Sequence, residues 1–331
     1  MPAPPRPDAE ASTRGARENF PVLSRLVPPR LRPGFSAVYR FCRTADDAAD
    51  RPGDPAANLI RLAELRAGVA SLYGGPARAV EAADRGLFGA LEPVVRGFGL
   101  PRACFDDLLD AFEQDQRVTR YGTWEQLLGY CRRSADPVGR LVLQLFGVED
   151  AERLALSDAT CTALQLTNHL QDLRPDLLTL DRLYLPEDVA SSYGLPLDAL
   201  VAGIRRGVSG PGGSGVVPGG GGGGCPACPP VARAELRALE GPLAATVADL
   251  VGRAQALFDR GSALPALLPR EAARPVAAFG LAGAAVLRRV AAAGPGLAAA
   301  RPAPPKGALA WALLRARFTA HARPPGGGVA A

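Results

Sequence analysis

The stretch from Cys161 to Pro186, CTALQLTNHLQDLRPDLLTLDRLYLP, decides how the rest of the chain is read. It reads as a helix opened by the polar pair Ser157–Asp158. Gln165, Asn168, Asp172 and Asp176 follow at steps of three, four and four. At 100° per residue they fall within roughly 80° on one helical face. Leu164, Leu166 and Leu170 point elsewhere and can pack. Two carboxylates and two amides in one column are hard oxygen donors. That set suits Mg²⁺, which takes one or two carboxylates and keeps positions open for water or substrate phosphates. An isolated Asp pair at i, i+4 is ordinarily a solvated face, so the reading depends on a second column.

Ala37–Asp50, AVYRFCRTADDAAD, supplies it. Tyr39, Arg43, Asp46 and Asp50 share a face within roughly 60°, with Asp47 about 100° off it. Like charges at i, i+4 cost a helix a few tenths of a kcal/mol, a cost that a cation between the two helices would offset. Two facing carboxylate columns with Arg43 beside them form a clamp for a diphosphate held through Mg²⁺.

Composition bounds the rest. The chain has 331 residues, 47% of them hydrophobic and 21% charged, enough for one large core or two ordinary ones. The net charge of +5 is carried by arginine, with Lys306 the only lysine. No basic stripe is interleaved with aromatics, so a nucleic-acid partner is not expected. The first residues lack the apolar core of a signal peptide. No uncharged apolar run reaches the ~20 residues that span a bilayer; Val276–Leu287 is closed by Arg288–Arg289. Cys42, Cys104, Cys131 and Cys161 sit in helical patterns and are expected reduced. The cytoplasm is the expected compartment, with peripheral contact at the inner face of the membrane left open.

Helical periodicity predicts helices over about 34–50, 56–73, 76–98, 102–118, 123–146, 150–177, 231–260, 270–293 and 307–322, and almost no strand. Residues 1–17 and 324–331 read as disordered tails around a helical domain at 18–323. Residues 207–230, GVSGPGGSGVVPGGGGGGCPACPP, read as a flexible insertion within it. Gly210–Gly215 satisfies GxGxxG, but no strand precedes it and no helix follows, so it is not a dinucleotide fingerprint. Cys225 and Cys228 form a lone CxxC that lacks two of the ligands of a zinc site. The stretch Gly294–Gly307 is expected to separate the last helix, with Trp311, Leu314 and Phe318, from the body. His169 and His321 are the only histidines; His169 lies beside the acidic column and reads as a packing residue. No Ser–His–Asp or Cys–His arrangement suggests acyl transfer.

DDAAD (from Asp46) and NHLQDLRPD (from Asn168) resemble the two aspartate-rich motifs of the squalene/phytoene synthase family. ENFPVLSRLVPPRLRPGFSAVYRFCRTADD (from Glu18), FDDLLDAFEQDQRVTRY (from Phe105), YCRRSADPVGRLVLQLFG (from Tyr130) and SDATCTALQLTN (from Ser157) are similar to it too. The ENFPV opening and YCRRSADPVGRL look most like its hydroxysqualene-forming branch in hopanoid biosynthesis. The resemblance implies an all-α single domain, an isoprenoid-synthase-type bundle around a central apolar cavity with the columns at its mouth. It implies Mg²⁺ on Asp46, Asp50, Asn168, Asp172 and Asp176, and a catalytic role for Asp46, Asp50 and Asp172 with Arg43 and Tyr130. Arg43 would contact diphosphate, Gln165 and Asn168 would line the cleft, and Phe20 and Tyr39 would flank the prenyl chain. The implied reaction converts presqualene diphosphate and water to hydroxysqualene without a nicotinamide, with hand-off to other enzymes of the pathway. Head-to-head prenyl transfer and a non-catalytic helical scaffold are the alternatives. Three departures stand out. Pro175 interrupts the second column and threatens to swing Asp176 off it, Arg51 follows Asp50 where an acid is common, and Leu177–Asp181 lacks the glycine and basic residues the family shows before its Arg-x-Tyr-x-Pro stretch, here Arg182–Pro186.

Overall fold

The structure, a computed structural model, describes residues 26–51, 53–75, 84–207 and 230–302. Helix α1 (Arg32–Ala49) follows a 3₁₀ turn and has a proline in its first turn, where no N–H is needed. Phe35, Val38, Phe41, Ala45, Ala48 and Ala49 bury its apolar face, and Tyr39, Arg43 and Asp46 are left half-exposed on another. Helix α2 (Pro55–Leu72) is capped by Asp54, which accepts from the amide of Ala56. Helix α3 (Arg85–Phe98) stops at Gly99, whose φ of 62° is left-handed, and α4 (Arg102–Gln114) ends short of the expected residue 118.

Strand β1 (Arg120–Tyr121) precedes α5 (Trp124–Ser134). A Thr123–Gln126 capping box opens α5, and Asp188 accepts from the amide of Trp124 at 3.0 Å. One helix was expected over 123–146. Instead the chain breaks at Ala135 and restarts as α6 (Asp136–Leu145), because Pro137 offers no N–H to the Arg133 carbonyl. Helices α1 to α4 and α6 enclose one apolar cluster, in which Phe41 meets Phe105 edge-on with ring centroids 5.0 Å apart.

Helix α7 (Ala151–Gln171) is capped by Asp150, well before the expected opening at Ser157–Asp158. It stops at Asp172, and α8 (Leu173–Leu180) starts anew there. The single helix expected over 150–177 is therefore two. Pro175 explains the break, since it cannot bond the Gln171 carbonyl and its ring crowds it. Helix α8 ends on Asp181, whose φ of 52° makes it the only non-glycine residue in the left-handed region among the described residues. That is the conformation a glycine would relieve. Strand β2 (Leu183–Pro186) then pairs in parallel with β1. Both strands are short and β2 is buried throughout, so neither shows the alternation by which strands are read from sequence.

Helices α9 (Glu187–Ser192) and α10 (Leu197–Arg206), α11 (Pro230–Ala238), α12 (Glu240–Gly261), α13 (Leu264–Leu267) and α14 (Arg270–Ala293) complete the fold. Helix α7 is its axis, packed by α5, α6, α12 and α14. The approach is close. A Cβ on Gly261 would lie 2.0 Å from Oγ1 of Thr160, and one on Gly283 2.2 Å from Leu164. Helix α14 is long and apolar enough to cross a membrane; it packs on α7, α12 and α13 and buries Ala272, Ala273, Ala278 and Val290.

Part of the stretch after α14 packs on the body. Leu297 and Ala298 are buried, Arg174 donates to the Ala298 carbonyl at 3.1 Å, and Gln171 donates to the Pro302 carbonyl at 3.0 Å. Residues 294–302 thus form a strap across the break between α7 and α8. Cys42, Cys104, Cys131 and Cys161 are free thiols. Phe20, both tails, the glycine-rich insertion with Cys225 and Cys228, and the helix expected at 307–322 lie outside the described residues.

Candidate active site

The first column rides on the half-exposed face of α1, with Asp50 closing the helix through its amide to the Asp46 carbonyl at 3.0 Å. The carbonyl of Ala49 receives Gln116 at 2.9 Å, Arg182 at 3.0 Å and Asn58 at 3.4 Å, which pins the backbone next to Asp50. Arg43 lies on its own helix, 2.6 Å from Asp47 and 3.3 Å from Asp46. The second column runs along α7, where Gln165 is half-buried and Asn168 exposed, through Asp172 at the break and on to Asp176 in the first turn of α8. Across Pro175 the Asp176 amide still bonds the Asp172 carbonyl at 2.9 Å.

Arg182 links the ends of the two columns, its backbone amide donating to the Asp176 carbonyl at 3.2 Å and its guanidinium to Asp50 at 2.7 Å. Burial pushes the Asp176 carboxyl up to about 8, and the charges of Asp172 and Asp50 push in the same direction, against the pull of Arg182 and Arg301. Carboxylates from α1, the α7–α8 junction and α8 thus share one field. The Arg182 guanidinium also donates to the Asp115 carbonyl at 3.2 Å, and its side chain is only 6% exposed. On the other side Arg301 of the strap grips Asp172 through both carboxylate oxygens.

Beneath Arg182 the interior is filled by rings. Tyr130 is 2% exposed and donates to Asp115 at 2.6 Å, and Tyr184 donates to the same carboxylate at 3.1 Å. Burial raises the Asp115 carboxyl to about 6, with Arg182 and the two hydroxyls drawing it back. Burial, reinforced by Asp115, also keeps the Tyr130 phenol protonated. His169 stacks on Tyr184 with centroids 3.7 Å apart. Burial and then Arg182 lower its imidazole to about 3, so it is neutral. An open groove of about 610 Å³ lies elsewhere, lined by Leu26, Val27, Pro28, Arg32, Arg270 and Arg274, none of them from the columns.

Residues 13–209 match the family described as squalene/phytoene synthase. The chain belongs to the squalene/phytoene synthase family. It is similar, at 40% identity over 181 residues, to the hydroxysqualene synthase of Zymomonas mobilis, covering 54% of this chain and 57% of that one. It is 33% identical over 180 residues to the presqualene diphosphate synthase of Rhodopseudomonas palustris, covering 54% and 61%. The chain thus spans about three-fifths of the length of these curated relatives. The crystal structure of squalene synthase HpnC from Alicyclobacillus acidocaldarius superposes with a TM-score of 0.66 at 37% identity, over 86% of this chain and 92% of that one.

Among the described residues no three His, Cys, Asp or Glu side chains converge tightly enough to hold an ion alone. Mg²⁺ does not require it, since it keeps several waters and shares its shell with substrate phosphates. The donors of this family member, Asp46, Asp50, Asn168, Asp172 and Asp176, are all hard oxygens, the kind Mg²⁺ takes. The residues present therefore fit Mg²⁺. Sequence reading missed Asp115, Tyr184, Arg182 and Arg301 as members of the site. The first three lie in stretches already noted for family resemblance, whereas Arg301 stands in an Ala/Pro-rich stretch that carries no such signal.

Proposed function

We propose that the chain converts presqualene diphosphate and water to hydroxysqualene and diphosphate, with Asp46 and Asp50 on one side and Asn168, Asp172 and Asp176 on the other holding Mg²⁺. The observation that carries this reading is the bridge that Arg182 makes between the two columns, through its guanidinium to Asp50 and its backbone amide to the Asp176 carbonyl. Mg²⁺ bound there would neutralise the leaving diphosphate as its bond to carbon breaks. Arg43 would move from Asp47 to the diphosphate. Arg182 holds Asp50 in place while that charge arrives. Half-buried Tyr39 would lie along the prenyl chain, where an aromatic face favours a cation. Gln165 and Asn168 would complete the cleft wall, and Tyr130, held by Asp115, would form its floor. The rearranged carbocation takes a water oxygen, and the proton lost from that water goes to the departing diphosphate or to solvent. The identity of 40% to hydroxysqualene synthase supports this product. The 33% identity to a presqualene diphosphate synthase supports the second reading, head-to-head condensation of two prenyl diphosphates.

The test is to incubate the protein with presqualene diphosphate and Mg²⁺ in ¹⁸O-labelled water, with and without NADPH. A labelled C30 alcohol that is indifferent to NADPH is expected. Squalene formed only with NADPH would overturn the assignment, and use of farnesyl diphosphate alone would favour condensation.

A further inference from the structure

Each acidic column is already held by an arginine from elsewhere in the chain, and the two arginines are held very differently. Arg182 is buried, takes one oxygen of Asp50, and is fixed at the same time by the carbonyls of Ala49 and Asp115. It cannot leave without stranding a buried charge. Arg301 is 37% exposed on its side chain and takes both oxygens of Asp172. Its backbone does not depend on that grip, because Leu297 and Ala298 are buried and the carbonyls of Ala298 and Pro302 are tied to Arg174 and Gln171. The side chain can therefore swing away while the strap stays in place.

We propose that Arg301 is a built-in competitor of the divalent cation at Asp172, so that the second column is latched until its guanidinium is displaced. The inference rests on the metal-dependent reading given above and concerns its regulation. A guanidinium across both oxygens cancels the charge that attracts the cation and repels any ion brought beside it. Asp50 carries no such block, since Arg182 leaves one of its oxygens to other partners. A cation is thus accepted first on the α1 side, and reaches Asp172 only as Arg301 lets go.

The test uses the full-length protein and Mn²⁺ alone, which suits the same oxygen donors, with free ion counted by electron paramagnetic resonance at fixed pH and ionic strength. Arg301→Gln should tighten Mn²⁺ binding roughly fivefold, the scale of a bidentate pair that is partly exposed. Arg301→Lys, which keeps the charge and loses the fork, should give a smaller gain, and it decides the matter if the Gln variant does not fold. In an Asp172→Asn background the gain should vanish. Affinities within about twofold of wild type for both variants would overturn the latch, as would a gain that survives in the Asp172→Asn background. If wild type and variants alike bind no Mn²⁺, with or without inorganic diphosphate, it is the metal-dependent reading that fails. That result is distinguishable from a bound ion indifferent to residue 301.

Discussion

Asp115 accepts from Tyr130 and Tyr184 and faces Arg182, so a change at any of the four is felt by the others. Arg182→Gln leaves Asp50 and Asp115 without their shared countercharge and should cost about 3–5 kcal/mol in urea unfolding. Arg182→Lys should recover only part of that, because an ammonium cannot reach two carbonyls and a carboxylate in one plane. Tyr130→Phe removes one donor from a buried carboxylate and should cost about 1–3 kcal/mol. Its turnover per folded molecule then decides whether Tyr130 touches substrate, as the family resemblance implies, or acts through Asp115 alone. Asp46→Asn and Asp172→Asn should abolish Mg²⁺-dependent diphosphate release while circular dichroism stays native, since neither side chain is buried.

At the scale of elements, the contact of α7 with α12 is set by absence of side chain. Gly261→Ala would drive a methyl into Thr160 and the Leu156 carbonyl, 3.0 Å away. The change should lower the melting temperature by the equivalent of about 1–3 kcal/mol or more. Gly252→Ala, on the same helix with open space around it, should leave stability unchanged or slightly raised. The helices were legible in the sequence because Phe35, Val38, Phe41 and Ala45 repeat at the helical period. Both acidic columns were legible for the same reason. Their ends were less so, because periodicity carries across Pro137 and Pro175 while the missing N–H stops the helix on the N-terminal side of each. Arg182 and Arg301 gained their meaning from partners far along the chain, Asp50 and Asp172, and no local pattern encodes such a pairing.

For the whole molecule, pH is the sensitive variable. Burial lifts the Asp136 carboxyl from 3.8 to about 7, although Thr162 donates to it at 2.8 Å. The folded chain therefore keeps a proton that the unfolded chain has lost, so stability falls as pH rises from about 4 through 7 and levels off above that. Asp136→Asn keeps an acceptor for Thr162 and removes the titration. Relative to wild type it should gain melting temperature at pH 8 and gain little at pH 4, in paired thermal scans. Asp115 and Asp176 shift in the same direction and are common to both proteins, so the difference between the two scans isolates Asp136.

The parallel pairing of β1 with β2 has a consequence for biosynthesis. A parallel ladder forms only after the whole crossover between its strands exists, here α5 to α8, and Arg182 immediately precedes β2. A nascent chain emerging from the ribosome therefore exposes Asp50 long before Arg182, its countercharge, is made, whereas Asp46 already has Arg43 on its own helix. Until Arg182 arrives, Asp50 has no arginine to hold it, and a chain halted before that point is a helical fragment with half a clamp. Assembly of the reaction centre is thus among the last long-range events of maturation, timed by closure of a large loop.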